Sequence, residues 1–172
     1  MSEAMKQIRI EKVTLNIGVG KPGPELDKAM KLLKKITGAK PVETKAKKRI
    51  PGFGIRPGLS IGCKVTIRGK KAEELLSKLL QAIDLKLDPR KIDNSGNFAF
   101  GIKEYLDIPN MEYDMDLGML GLEVAVTLER PGFRVKKRRL KVKPIPKRHR
   151  ITKEDTVQFL KERFNVNAGG QE

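Results

Sequence analysis

Two apolar periods alternate along this chain, and together they constrain its fold more than any other feature. Every second residue is apolar in Val13, Leu15, Ile17 and Val19, again in Leu59, Ile61, Cys63, Val65 and Ile67, and again in Leu120, Leu122, Val124, Val126 and Leu128. A period of two belongs to a strand with one face buried and the other open. Elsewhere the period lengthens. Leu26, Ala29, Met30, Leu33 and Ile36 share one side of a helix over residues 24–37, which Gly38 is placed to end. Ala72, Leu75, Leu76, Leu79, Leu80 and Ile83 do the same over residues 71–83. Strands are predicted over 8–19, 41–46 and 59–68, then a turn at 94–97 and a strand pair over 98–108 and 119–129. A third helix is predicted from Thr152 to Phe164, because Thr152 and Asp155 have capping-box spacing. This order predicts one α+β domain over 1–172: two layers, a largely antiparallel sheet with helices packed on one face. Residues 167–172 are expected to fray.

Charge is as uneven as hydrophobicity. The chain has 37 Lys and Arg against 21 Asp and Glu, a formal net charge of +16. Residues 45–71 hold nine basic side chains and no acid, and residues 130–150 hold eleven with no acid. The remainder is slightly acidic, so the whole positive excess lies in two segments. Such focusing points to a polyanion. Pro51, Pro57, Pro131, Pro144 and Pro146 interrupt these segments, which opposes the long basic amphipathic helix that a membrane surface would require. The single cysteine excludes an internal disulfide framework and a cysteine-rich zinc site. No apolar run approaches the roughly 18–20 residues of a membrane span, and the first residues lack a signal-peptide core. The expectation is a soluble intracellular protein bound to nucleic acid.

The first charged window has strand-like ends around a Gly/Pro tip at 50–58, so residues 45–58 are expected to form a protruding basic hairpin arm. The polar phase of the strands gives the open face of the sheet. It offers Thr14, Asn16 and Gly18 on the first strand and Ser60, Lys64, Thr66 and Arg68 on the third, with no aromatic side chain. Bases cannot stack there as they do on aromatic sheet platforms, but amide, hydroxyl and guanidinium groups suit phosphates and 2′-hydroxyls of folded RNA. An ordinary solvated sheet face would show the same alternation.

Rival signals have plainer explanations. Gly18, Gly20 and Gly23 fit the dinucleotide-binding spacing, with Glu43 twenty residues beyond Gly23. Pro22 and Pro24 crowd the phosphate turn, however, and an acid-free hairpin follows where a further βα unit should be. His149 is the only histidine, so no His–Cys or His–Asp pair exists; it reads as one more donor in a basic run, or as nothing. Cys63 alternates with the apolar residues and reads as a small buried hydrophobe. Asp107, Glu112, Asp114 and Asp116 form a local acidic cluster whose spacing fits no calcium loop; it reads as a solvated loop or a contact for a basic protein. Lys136, Lys137, Arg138 and Arg139 match an import signal but belong to the longer basic window. No nucleophile, base and oxyanion site assemble, so neither an enzyme nor a metal or cofactor site is expected. Behind the RNA reading stand a protein neutralising DNA without sequence preference and a small dinucleotide-binding enzyme.

Four segments carry a more specific signal: IEKVTLNIGVG at 10–20, TGAKPVETKAKKRIPGFGIRPGLSIGCKVTIRG at 37–69, DNSGNFAFGIKEY at 93–105 and LERPGFRVKKRR at 128–139. In this order they resemble the universal large-subunit ribosomal proteins that bind 5S rRNA, the L-five family, and the resemblance runs from about Ile8 to Phe164. The ending, with KRHRITKEDTVQFLKERF at 147–164, is similar to archaeal and eukaryotic members. The resemblance implies a protein that anchors 5S rRNA in the central protuberance, in cytoplasmic ribosomes, beside other protuberance proteins. It assigns 5S rRNA contacts to Asn16, Thr66 and Arg68, which fall on the polar face read from alternation; Thr14 and Lys64 share that face. Bacterial relatives carry Gln in the turn where this chain has Ala39, and Lys40 is expected to reach a phosphate there instead. The arm residues Lys47, Lys48, Arg49, Gly52, Phe53, Gly54 and Arg56 match the hairpin that reaches P-site tRNA in the family. Arg134, Lys136, Lys137, Arg138, Arg139, Lys147 and Arg148 are expected to bind rRNA as well, either 5S rRNA or the neighbouring large-subunit rRNA. Glu112, Asp114 and Asp116 match the loop that meets a basic protein of the small-subunit head.

Overall fold

A computed structural model describes residues 3–167. Its elements in chain order are α1 (Glu3–Lys6), β1 (Arg9–Gly18), α2 (Pro24–Thr37), β2 (Val42–Lys45), β3 (Ser60–Ile67), α3 (Lys70–Gln81), β4 (Phe98–Ile102), β5 (Leu122–Glu129), α4 (Arg134–Lys137) and α5 (Lys153–Phe164). The strands form one sheet in the order β2-β3-β1-β5-β4, and every neighbouring pair is antiparallel. β1 lies at the centre, flanked along both edges, and its Val13 and Leu15 are wholly buried. This is the predicted α+β architecture.

Inward-facing residues of four strands (Leu15, Val65, Val124 and Phe100 among them) pack with Leu32 and Leu33 of α2, Leu76 and Leu80 of α3 and Phe159 and Leu160 of α5 in one core. Each fully buried aliphatic or aromatic side chain contributes roughly 1.5–3 kcal/mol, so the single core dominates the stability. α3 and α5 are further tied by Arg163 Nη2 to Glu73 Oε2 at 3.1 Å. Gly38 closes α2 as predicted, donating its N–H to the carbonyl of Lys34 at 2.8 Å. The capping box of α5 is present: Thr152 Oγ1 accepts from the Asp155 N–H at 3.3 Å, and the Thr152 N–H donates to Asp155 Oδ2 at 3.0 Å. At the 94–97 turn the Asp93 carboxylate accepts from the N–H groups of Ser95 and Asn97. Gly96 passes so close to α5 and the residue before its cap that a Cβ would stand 2.7 Å from Thr156 Oγ1 and 2.4 Å from Ile151 Cγ2.

Two expectations are corrected. The strand predicted over 98–108 ends at Ile102, its last partner on β5 being Leu122. The chain then leaves the sheet through a 3-10 turn, Tyr105–Asp107, where the buried Tyr105 hydroxyl accepts from the Asp114 N–H at 3.0 Å. The strand predicted from 119 begins at Leu122. The dinucleotide reading fails as expected: β2 is antiparallel to β3, and Glu43 accepts a 2.6 Å hydrogen bond from Ser60. At the C-terminal end, Asn167 is hydrogen-bonded to Leu85 and Leu87; residues 168–172 of the expected tail lie outside the described residues.

Candidate nucleic-acid interface

Strand register sets the open face. In one row across the sheet Val42 pairs with Lys64, Lys64 with Asn16, Asn16 with Glu123 and Glu123 with Gly101; in the next, Thr66 pairs with Thr14, Thr14 with Ala125 and Ala125 with Ala99. Paired residues point to the same side, so Thr14, Asn16, Lys64 and Thr66 form one patch opposite the helices. The Thr14 and Thr66 hydroxyls are 3.4 Å apart. Asn16 Nδ2 donates to Glu123 Oε2 at 3.3 Å. Phe98 and Phe100 both point into the core, so no aromatic side chain reaches this part of the face. Lys40 is exposed in the connection from α2 to β2, two residues before Val42, the partner of Lys64.

Arg68, just beyond β3, is held by Glu11: Nη1 lies 3.2 Å from Oε1 and 3.5 Å from the Glu11 carbonyl. Oε2 of the same carboxylate takes Lys137 Nζ at 2.5 Å. Lys137 also lies 3.3 Å from Glu129, and Arg9 pairs with Glu129 at 2.9 Å. Burial pushes the Glu11 carboxyl up, but hydrogen bonds from Lys137 and Arg68, with the charges of Lys137 and Lys12, outweigh it and hold the group below its ordinary value. Sequence reasoning missed Glu11, Glu123, Glu129 and Arg9 on this face. Alternation continued along β5 marks Glu123 and Glu129. Glu11 is masked because a bulge between Ile10 and Lys12 places two residues between the buried Ile10 and Val13, breaking the period.

The arm is a hairpin closed by backbone hydrogen bonds. Ala46 and Leu59 close its base through an N–H···O bond of 2.8 Å, and Ile50 and Ile55 exchange both backbone hydrogen bonds beneath the tip. Pro51–Phe53 form a 3-10 turn that Gly54 ends at φ 66°, a conformation most side chains resist. Phe53 is 80% exposed at the apex. Lys47, Lys48, Arg49 and Arg56 are exposed, and among the described residues they make no ion pair.

The second basic segment folds back on itself. His149 is buried, which corrects the reading of it as a donor in the basic run and leaves the alternative of no ligand role: its Nε2 donates to the Pro131 carbonyl at 2.8 Å, and its ring meets Phe133 edge-on at 5.7 Å. Lys136 Nζ lies 5.0 Å over the Phe133 ring. Arg130 Nη2 pairs with Asp155 of α5 at 2.9 Å, and Arg138 Nε donates to the Lys141 carbonyl at 2.8 Å. Arg134, Arg139, Lys147 and Arg148 are left exposed.

In the β4–β5 connection Asp114 is engaged within the chain. Lys35 of α2 lies 3.3 Å from its Oδ2, and the Asp116 N–H donates to its Oδ1. Glu112 and Asp116 remain exposed beside Tyr113 and Met115. Cys63 is fully buried, and burial pushes its thiol up to about 11.

Comparison with known proteins adds to this geometry. The family model of ribosomal protein L5 matches residues 3–56, and the separate model of that family's C-terminus matches residues 60–159. The chain is 54% identical over 167 residues to large ribosomal subunit protein uL5 of Nanoarchaeum equitans, covering 96% of this chain and 98% of the relative. It is 53% identical to that of Sulfurisphaera tokodaii over 94% of this chain and 92% of the relative, and 44% identical to that of Methanobrevibacter smithii over 95% and 96%. The chain belongs to the ribosomal protein L5 family, in its archaeal form, and is a structural ribosomal protein rather than an enzyme.

Proposed function

We propose that this chain is a cytoplasmic scaffold of the large ribosomal subunit that anchors 5S rRNA in the central protuberance through the open face of its sheet. The observation that carries this reading is the patch of Thr14, Asn16, Lys64 and Thr66, set by antiparallel register, with Arg68 at its margin. Folded RNA presents phosphates and 2′-hydroxyls at fixed spacing, and donors mounted on paired strands match fixed spacing better than donors on loops. Lys40 adds a phosphate contact from the sheet edge. Arg134, Lys136, Lys137, Arg138, Arg139, Lys147 and Arg148 extend the charged surface over 5S rRNA and the adjoining large-subunit rRNA, beside neighbouring proteins of the protuberance. The arm carries Lys47, Lys48, Arg49 and Arg56 around a glycine-flanked Phe53, a form suited to the backbone and ribose of P-site tRNA. Glu112, Asp114 and Asp116 present the opposite charge to a basic protein of the small-subunit head.

The test is binding of folded 5S rRNA against unrelated duplex RNA across a salt series. Neutralised phosphates contribute about 0.7–0.9 each to the log–log salt slope, so binding by charge alone disappears as salt rises. The wild-type chain is expected to keep its preference for 5S rRNA at salt that releases the duplex. Alanine at Asn16, Thr66 and Arg68 together should cost about a hundredfold on 5S rRNA, from roughly 1 kcal/mol per contact, and little on the duplex. Equal losses on both RNAs would reduce the chain to a general polyanion binder.

A further inference from the structure

A polyanion-binding face should exclude carboxylates, yet Glu11 sits at the meeting point of the sheet and the second basic segment. Its side chain is only 10% exposed, and both of its oxygens are occupied by cations that the sequence places in different charge windows: Arg68 at 3.2 Å and Lys137 at 2.5 Å. Glu129 repeats the pattern, taking Lys137 at 3.3 Å and Arg9 at 2.9 Å. The result is an alternating chain, Arg68–Glu11–Lys137–Glu129–Arg9, at the end of β1. The bulge between Ile10 and Lys12 accompanies Glu11 there.

We infer that Glu11 is a positioning residue that determines specificity: it locks Arg68 of the sheet and Lys137 of the basic segment into one rigid cluster, so that the two charge windows read a single RNA surface. The inference rests on the RNA-binding reading above. Long cationic side chains that are free before binding must lose rotamer freedom when they meet a phosphate. Arg68 and Lys137 are already held, so a ligand with phosphates at the matching positions meets them without that loss. The same carboxylate subtracts attraction from every other phosphate arrangement. Glu11 therefore lowers affinity for polyanions in general while favouring one geometry, which is how selectivity rises when charge alone would give none. Lys137 also anchors α4 to β1 and β5, while Arg130 fixes the start of the segment to Asp155 of α5.

The test is Glu11→Gln in the full chain, assayed on folded 5S rRNA and on unrelated duplex RNA, with trypsin cleavage at residues 136–139 of the free protein as a second readout. The substitution raises the formal net charge from +16 to +17. If Glu11 acted only as a negative charge, both RNAs would bind more tightly. The inference predicts opposite signs: duplex RNA tightens about twofold, and 5S rRNA weakens about tenfold because the cations must now be ordered on binding. It also predicts cleavage at 136–139 several-fold faster, with the unfolding midpoint little changed. Parallel shifts on both RNAs together with unchanged cleavage overturn it. Should the wild-type chain show no preference for 5S rRNA, the proposed function fails, and the cleavage rate alone decides whether Glu11 holds the segment. Should Glu11→Gln fail to fold, Lys137→Met, which leaves Glu11 paired with Arg68, must show the same faster cleavage and a weaker 5S complex; an unchanged rate overturns the inference.

Discussion

Cys63 shows how far one residue's position fixes its chemistry. Its place in the alternation puts it on the inner face, where it is fully buried opposite Ile17. Burial raises the thiol to about 11 because a thiolate would lose its hydration, so the reactive form is scarce at neutral pH. Iodoacetamide at about pH 8 should leave folded Cys63 unlabelled, and its labelling rate in increasing urea should follow unfolding. Rapid labelling without urea would contradict the placement of the strand. Glu11 is the contrasting case. Its surroundings cannot be read from its neighbours in the chain, since the bulge conceals its face and Arg68 lies 57 residues away.

Among the elements, α5 best shows local and distant determinants acting on one site. The spacing of Thr152 and Asp155 is sufficient to predict the reciprocal hydrogen bonds that start the helix. Thr152→Ala should destabilise the fold by about 1 kcal/mol, read as a lower urea midpoint with an unchanged slope. The second role of Asp155, accepting Arg130 at 2.9 Å, appears only when the helix is docked. Thr156 is similar: it is wholly buried and donates to the Gly96 carbonyl at 2.9 Å, sixty residues back along the chain. The early end of β4 has the same kind of cause. Beyond Ile102 the chain turns in a 3-10 helix at Tyr105–Asp107, where the Tyr105 N–H donates to the Leu120 carbonyl at 3.1 Å and the buried Tyr105 hydroxyl accepts from the Asp114 N–H at 3.0 Å.

At the scale of the molecule, the cations divide into held and free. Arg9, Arg68 and Lys137 are locked around two carboxylates on the sheet face, whereas the arm's Lys47, Lys48, Arg49 and Arg56 project into solvent. This division predicts separable functions. Replacing the four arm cations with Gln should change stability by less than about 0.5 kcal/mol, as exposed substitutions usually do. It should also leave the preference for 5S rRNA over duplex RNA intact while impairing tRNA positioning on the ribosome. A collapse of 5S affinity in that variant, measured in the same salt series, would reassign the arm to rRNA.

The two-layer architecture, the two charge windows, the polar rows of β1 and β3 and the α5 cap are all legible in the bare chain, because each is written in neighbours a few residues apart. Period, turn chemistry and charge density are local properties, and local physics fixes them. What those groups do together depends on packing: Arg68 and Lys137 share one carboxylate, Asn16 is held by Glu123, and His149 closes the second basic segment instead of facing a ligand. Arg9 and Glu129 are 120 residues apart in the chain and 2.9 Å apart in space. An ion pair depends on a distance of a few ångströms, and only the packed sheet, with its bulge and register, sets that distance.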